Sequence, residues 1–287
     1  AQLATEQRAL AGRTLSANQA SYNLVQQQVD AGTANDLDLA QALGQVHSAK
    51  IEVAVYERQV AVAKNALHEL VGRNVPDDAG SKRVPLRNHA LLKALPAGLP
   101  SEVLLTRPDV MAAEYELKAE NANIGAARAA FFPSISLTTT AGSISSSFSN
   151  LFEGDTATWS FSPSIAIPIF NWGKLKANVE LSEIRKNIAI ANYEKKIQTA
   201  FREVSDGLVS RAPLERQLRS QRNLVATTSE QLRLANLLYN NGIASYLDVL
   251  DAQRSQFSAN QALLRTYYEQ IMNSIALYSA LGGGLIE

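Results

Sequence analysis

Asp248, Asp251 and Arg254 stand at i, i+3 and i+6. On a helix these positions lie near one face. Two carboxylates and a guanidinium so placed make a surface ion pair worth about 0.3–0.5 kcal/mol. Catalytic patterns are missing from the rest of the chain. There is no P-loop, no His-Glu-x-x-His and no Gly-x-Ser-x-Gly. His68 precedes Glu69, but no second His lies four residues beyond His68. Gly282-Gly283-Gly284 closes a helical stretch with no helix after it, so it is no phosphate cradle. With 0 Cys the chain has no disulfide, thiolate zinc site or Cys nucleophile. Its 3 His are far apart in sequence, which argues against a His-rich metal site. We expect no enzyme, no metal and no cofactor.

A different chemistry shows at 159–169. Trp159, Phe161, Ile165, Ile167 and Ile169 alternate, with Pro163 among them, against Ser160, Ser162, Ser164, Ala166 and Pro168. Period two predicts a strand, and its length suits the roughly 9–11 residues of a tilted transmembrane strand. Upstream, Ile135, Leu137, Thr139 and Ala141 alternate with Ser134, Ser136, Thr138 and Thr140. The connection over 142–157 is rich in Ser, Gly and Asn and holds Glu153 and Asp155, so the pair reads as a hairpin with a polar loop. A soluble sheet usually carries charges on its wet face. Here that face is small and hydroxyl-rich, as a water-filled lumen would have it. Trp159 and Phe161 lie near one end, Phe170 and Trp172 near the other, like the aromatic girdles of outer-membrane barrels. Two readings stay open: a flap packed on helices, or a membrane hairpin whose Trp/Phe/Ile stripe faces lipid and whose Ser stripe faces the lumen. One hairpin cannot close a barrel. Its partner strands must come from other chains, from further sequence, or from both.

Long helices must position these residues. Breaker-free stretches run over 1–31 and 36–72, split by Ala31-Gly32-Thr33; over 172–211 and 214–240, interrupted by Pro213; and over 246–281. A helix of about 36 residues is about 54 Å long, which suggests a coiled coil or helical tube. Leu39, Val46, Val53, Val60 and Leu67 recur every seventh residue, as do Ala42, Ala49, Tyr56, Ala63 and Leu70: an a/d seam. Leu250, Phe257, Leu264, Ile271 and Tyr278 repeat the spacing. Residues 23–74 align without gaps on 233–284, with Gly32/Gly242, Ala34/Ala244, Leu37/Leu247 and Asp38/Asp248 at equivalent places, which reads as duplicated halves. Residues 75–107 are Pro-rich and irregular, and 108–130 form a helix behind Pro108. The expected organisation is a helical part over 1–74 and 171–282, an irregular segment over 75–107, a helix over 108–130 and the hairpin over 131–170. Charge is balanced, 27 Lys+Arg against 27 Asp+Glu, which argues against a general nucleic-acid binder. Hydrophobic content of 46% argues against disorder. No apolar run approaches the roughly 20 residues of a membrane-spanning helix. The opening AQLATEQRAL has no signal-peptide character and reads as mid-helix, so we expect a chain truncated at its N-terminus.

Leu99-Pro100-Ser101-Glu102-Val103-Leu104-Leu105-Thr106-Arg107-Pro108-Asp109, running on to Ala112-Ala113-Glu114, resembles a signature of TolC-type outer-membrane efflux proteins, closest to the lipoprotein branch serving tripartite multidrug pumps. Ile124-Gly125-Ala126-Ala127-Arg128-Ala129 before Phe131-Phe132-Pro133, then Pro168-Ile169-Phe170-Asn171-Trp172-Gly173, Tyr239-Asn240-Asn241-Gly242, Tyr246-Leu247-Asp248-Val249-Leu250-Asp251-Ala252-Gln253-Arg254 and Ala280-Leu281-Gly282-Gly283-Gly284 follow in order. The resemblance implies a mainly α fold with a small β part: antiparallel coiled-coil helices forming part of a helical tunnel, plus a hairpin contributing to an oligomeric transmembrane β-barrel. It implies a homotrimer in the bacterial outer membrane with its helices in the periplasm. The implied partners are outer membrane lipids, a periplasmic adaptor (membrane fusion) protein and an inner-membrane pump, with no nucleic acid. It places Leu247, Asp251 and Arg254 at a channel gate, with Asp248 in support. It also places Gly32, Thr33, Ala34, Gly242, Ile243 and Ala244 at adaptor-docking tips. Such proteins carry two hairpins per chain and often a lipid-bearing N-terminal Cys; this chain has only the second hairpin and no Cys, so the resemblance implies the C-terminal two-thirds of a longer protein. The function expected is a passive efflux duct. Type I protein secretion and a non-channel helical scaffold or adaptor are the alternatives.

Overall fold

The computed structural model describes residues 1–74, 84–88, 107–152, 154 and 156–283. Most of the irregular 75–107 segment, Glu153, Asp155 and Gly284 lie outside the described residues. The elements are α1 (Gln2–Asp30), α2 (Asp36–Val71), a short turn of 3-10 helix (Leu86–Asn88), α3 (Pro108–Ala129), β1 (Ser134–Ser143), β2 (Ala157–Ala166), α4 (Lys174–Asn240) and α5 (Tyr246–Ala280). The chain divides into two compact units, Ala1–Leu99 with Glu203–Gly283, and Pro100–Arg202 with Gly284–Glu287.

In the first unit α1 and α2 form an antiparallel pair, as do the second half of α4 and α5. Each pair is joined by the same turn. Gly32 and Gly242 take φ of 73° and 70°, a left-handed conformation open to glycine at little cost. Gly32 N–H donates to Val29 O at 2.9 Å and Thr33 N–H to Gln28 O at 2.8 Å; Gly242 N–H donates to Tyr239 O and Ile243 N–H to Leu238 O, both at 2.9 Å. Both are Schellman caps, which satisfy the last carbonyls of a helix and let the chain reverse. The turn equivalence matches the sequence repeat. The next helices then start on side-chain caps. Asn35 accepts from Asp38 N–H at 2.9 Å, and Ser245 shares a capping box with Asp248.

Near these turns the four helices bury one apolar cluster: Val25 from α1, Ala42 from α2, Ala235 from α4, and Tyr246, Val249, Leu250 and Ala252 from α5. The α2 seam is buried at Ala42, Val46, Ala49, Tyr56 and Val60. Its last expected members are not: Leu67 is 39% and Leu70 85% exposed. Gln2 of α1 faces α2 at about residue 65 by antiparallel geometry, so α1 as described does not reach them.

The α5 seam differs from the expected one. Leu250 is buried, but Tyr278 is 42% exposed. The buried sevenfold set is Ala252, Ala259, Thr266 and Ala280, and Asn273 in the same register donates to Gly207 O at 3.1 Å. Small side chains let α4 come close, so the seam carries no strong hydrophobic signal. Gly207 marks a close approach: a Cβ there would stand 3.0 Å from Leu277 Cδ1. The expected interruption at Pro213 is also absent, since α4 is continuous through it. Proline removes one hydrogen bond to the carbonyl four residues back. That residue, Val209, is 70% exposed, so water can take the carbonyl.

In the second unit α3 begins at Pro108, where a missing N–H costs nothing. Arg107, 7% exposed, donates through Nε and Nη2 to both oxygens of Asp109, each at 3.0 Å. Asp109 in turn accepts from the Val110 N–H at 3.0 Å. The Arg107 hydrogen bonds hold the Asp109 carboxyl below the ordinary carboxylate range, against some desolvation.

Candidate channel hairpin and gate

β1 and β2 pair antiparallel from Ser134↔Ala166 to Ser143↔Ala157. The register puts Ile135, Leu137, Thr139 and Ala141 opposite Ile165, Pro163, Phe161 and Trp159. Ser136, Thr138 and Thr140 meet Ser164, Ser162 and Ser160 on the other face, where the Thr140 and Ser160 hydroxyls hydrogen-bond. A one-residue slip would mix the faces; this register keeps an apolar uncharged face and a hydroxyl face apart. Every residue of both strands is exposed, so the hairpin is not the flap packed on helices that the sequence also allowed. The strand is shorter than the alternation suggests. Ile167 and Ile169 lie beyond its end at Ala166. The ladder stops because Ser134, the partner of Ala166, follows Pro133, and Pro168 has no N–H to donate. Past that end, Phe170 and Trp172 rings meet at 5.2 Å, both highly exposed.

At the turns, Leu247, Asp251 and Arg254 share one exposed face of α5. Leu247 is 53% exposed. Arg254 Nη1 lies 3.8 Å from Asp251 Oδ1, with both side chains open to solvent. This is an ion pair too long for a hydrogen bond. Asp248 does not join them. Its Oδ2 accepts from the Ser245 N–H at 2.9 Å and the Ser245 hydroxyl at 2.8 Å, so its first role is to cap α5, where a carboxylate also suits the helix dipole. Beside the second turn an open groove of 930 Å³ is lined by Leu234, Leu238, Ile243, Ala244, Asp248 and Asp251 among others.

Sequence reasoning assigned no role to the two tyrosines flanking the second turn. Tyr239 and Tyr246 rings lie 5.2 Å apart. Tyr239 donates to Gln28 Oε1 at 3.1 Å, and the Tyr246 and Ser21 hydroxyls are 3.1 Å apart. They tie the second turn to α1. Burial first, and the charge of Asp38 after it, push the Tyr239 phenol up. Burial likewise pushes Tyr246 up, against the Ser21 hydrogen bond. The only sequence signal was their place on either side of Gly242. Among the described residues no group of His, Cys, Asp and Glu could hold a metal ion, and no helix is long and apolar enough to cross a membrane.

A two-faced hairpin with uncharged strands, together with long helices that reverse at duplicated caps, defines a class, and comparison with known proteins gives the same one. The chain belongs to the outer membrane efflux protein family, whose sequence model matches residues 1–73 and 99–283. It is 48% identical over 271 residues to the solvent efflux pump outer membrane protein SrpC of Pseudomonas putida, covering 94% of this chain and 57% of that protein. It is 47% identical to the probable outer membrane lipoprotein SilC of Salmonella typhimurium, over 100% of this chain and 62% of that one. Among solved structures it resembles the open state of the MtrE outer membrane channel of Neisseria gonorrhoeae, with TM-score 0.74 and 40% identity over 99% of this chain and 64% of that one. A membrane protein from Pseudomonas aeruginosa aligns with TM-score 0.78 and 42% identity, over 99% and 63% of the two chains. The chain thus spans less than two thirds of the length of these relatives.

Proposed function

We propose that the protein is a passive outer-membrane duct of a tripartite efflux system, carrying drugs or other small molecules from the periplasm to the outside. The hairpin carries this reading. Its register separates a charge-free apolar face from a hydroxyl face, and the residues of both faces are exposed. Lipid suits the first face and a water-filled lumen the second. The strands would close a barrel only with those of other copies and of the rest of the protein, in a homotrimer whose long helices form a tunnel in the periplasm. The duct would act with an inner-membrane pump. The turns Gly32-Thr33-Ala34 and Gly242-Ile243-Ala244 would dock a periplasmic adaptor. Family membership supports the outer-membrane setting.

In this duct Leu247, Asp251 and Arg254 form the gate. Three copies of Asp251 around an axis would attract cations, as carboxylate rings do in cation pores. The test is conductance of the full-length protein in planar bilayers. The parent should show small, cation-selective currents. Asp251→Ala with Arg254→Ala should raise resting conductance and lower cation preference without loss of the trimer, because a state held by differential contacts loses population when they go. Absence of any pore in the parent sinks the duct reading. A pore unchanged in the double variant sinks the gate.

A further inference from the structure

Behind Arg254, between α1, α2 and α5, lies a cavity of 200 Å³ whose walls include Asn18, Ser48, Glu52, Gln253, Arg254 and Phe257. Its polar groups are unequally satisfied. Asn18 is settled, since its amide donates to Gln45 O at 3.2 Å. Gln253 is not. Its side-chain carbonyl is buried and accepts no hydrogen bond among the described residues, a state that ordinarily costs stability. Glu52 brings a carboxylate to the same walls; burial first, and then the Glu52 charge and hydrogen bond, push the neighbouring Tyr56 phenol up, against the charge of Arg265, and a carboxylate with one such partner keeps acceptor sites for a guanidinium. Arg254 is the one cation among the residues lining this cavity. A guanidinium offers five N–H donors and no acceptor. At its other side, among the described residues, it has the 3.8 Å ion pair to Asp251, open to water.

We propose that Glu52 and Gln253 form a second seat for the Arg254 guanidinium. A carboxylate and a bare amide oxygen are what a guanidinium's fork of donors would satisfy, and charge-assisted hydrogen bonds in a partly enclosed site outweigh a solvated ion pair. The two seats differ in what they join. The pair with Asp251 lies within α5. The seat at Glu52 ties α5 to α2, so occupying it opposes any movement of the α5 tip away from the α1–α2 pair. Glu52 and Gln253 are then positioning residues that act on the gate through Arg254. Their effect on conductance rests on the gate reading above; the seat itself does not.

A double-mutant cycle of Glu52→Gln and Arg254→Gln in the full-length trimer tests this, read by resting open probability and by thermal unfolding. Glu52→Gln should raise open probability roughly tenfold, the scale of one hydrogen bond to a charged group; Arg254→Gln, which also removes the ion pair to Asp251, should raise it at least as much, and the double should rise no further than Arg254→Gln alone. Gln253→Leu should give a smaller rise. Exchanging the charges, Glu52→Arg with Arg254→Glu, should restore the closed channel, which a merely structural role for Glu52 would not allow. If Arg254→Gln leaves conductance unchanged, the gate reading fails and the unfolding cycle alone decides. Non-additive unfolding shifts then uphold the seat. Additive shifts, with no rescue by charge exchange, overturn it and leave the cavity to water.

Discussion

The separation of the hairpin faces can be tested by one charge placed on either side. The ladder has ten pairs, Ser134↔Ala166 to Ser143↔Ala157. At about 3.4 Å per residue it is about 34 Å long, and a tilt of about 45° brings it to about 24 Å along the membrane normal, close to the roughly 25 Å apolar band of outer-membrane barrels. The middle of the ladder falls between Thr138↔Ser162 and Thr139↔Phe161. With the ladder centred in the bilayer, Phe161 sits about 1 Å from the midplane and Ile165, about 3.5 residues from the centre, about 8 Å away. Arginine on the lipid face costs about 2–4 kcal/mol at the midplane and about 0–1 near the interface. Phe161→Arg should therefore destabilise the folded membrane protein by about 2–4 kcal/mol, and Ile165→Arg by clearly less. Ser162→Arg, next in the chain and on the opposite face, should cost little and instead shift ion selectivity. Urea titration of the full-length protein in phospholipid vesicles measures the first quantity, and bilayer conductance the second. Equal costs for Phe161→Arg and Ser162→Arg would refute the assignment of faces. Equal costs for Phe161→Arg and Ile165→Arg would refute the depth.

Other outcomes follow from single sites. Gly207→Ala would set a Cβ 3.0 Å from Leu277 Cδ1 and 3.3 Å from Leu277 Cβ; we expect about 1–3 kcal/mol of overpacking cost in chemical denaturation, more than the usual gain from Gly to Ala in a helix. Asp109 has its folded pKa depressed by Arg107, so its contribution is present above the unfolded value near 4 and is lost as pH falls through the folded one. The carboxylate is 40% exposed and solvent screens the pair, so Asp109→Asn should cost no more than about 1 kcal/mol at pH 7, and the gap to the parent should close below pH 4 in urea titrations. Ala244→Trp, beside the second turn, should abolish drug resistance in cells while the trimer still assembles; full resistance would argue against adaptor docking there.

The sequence alone settled what is local or periodic. Period two located the hairpin and its two faces, and the register keeps them as the alternation divides them. The long helices and the glycines that end them were readable because left-handed caps need Gly32 and Gly242 whatever surrounds them. What depended on a neighbouring segment was not readable. Ile167 and Ile169 continue the alternation but fall outside the strand, since a strand lasts only as long as its partner and Pro133 ends that partner. Pro213 stops a helix by local rule, yet α4 runs through it because the freed carbonyl lies on an exposed face. The α5 seam of Ala252, Ala259, Thr266 and Ala280 escaped notice because close packing selects small residues, which no hydrophobic period reveals. Asp248 looked like a companion to Asp251 at helical spacing; only the folded chain turns it back onto Ser245. The cavity joining Glu52, Gln253 and Arg254 draws on three helices, and residues two hundred positions apart carry no mark of their meeting until the tertiary structure brings them together.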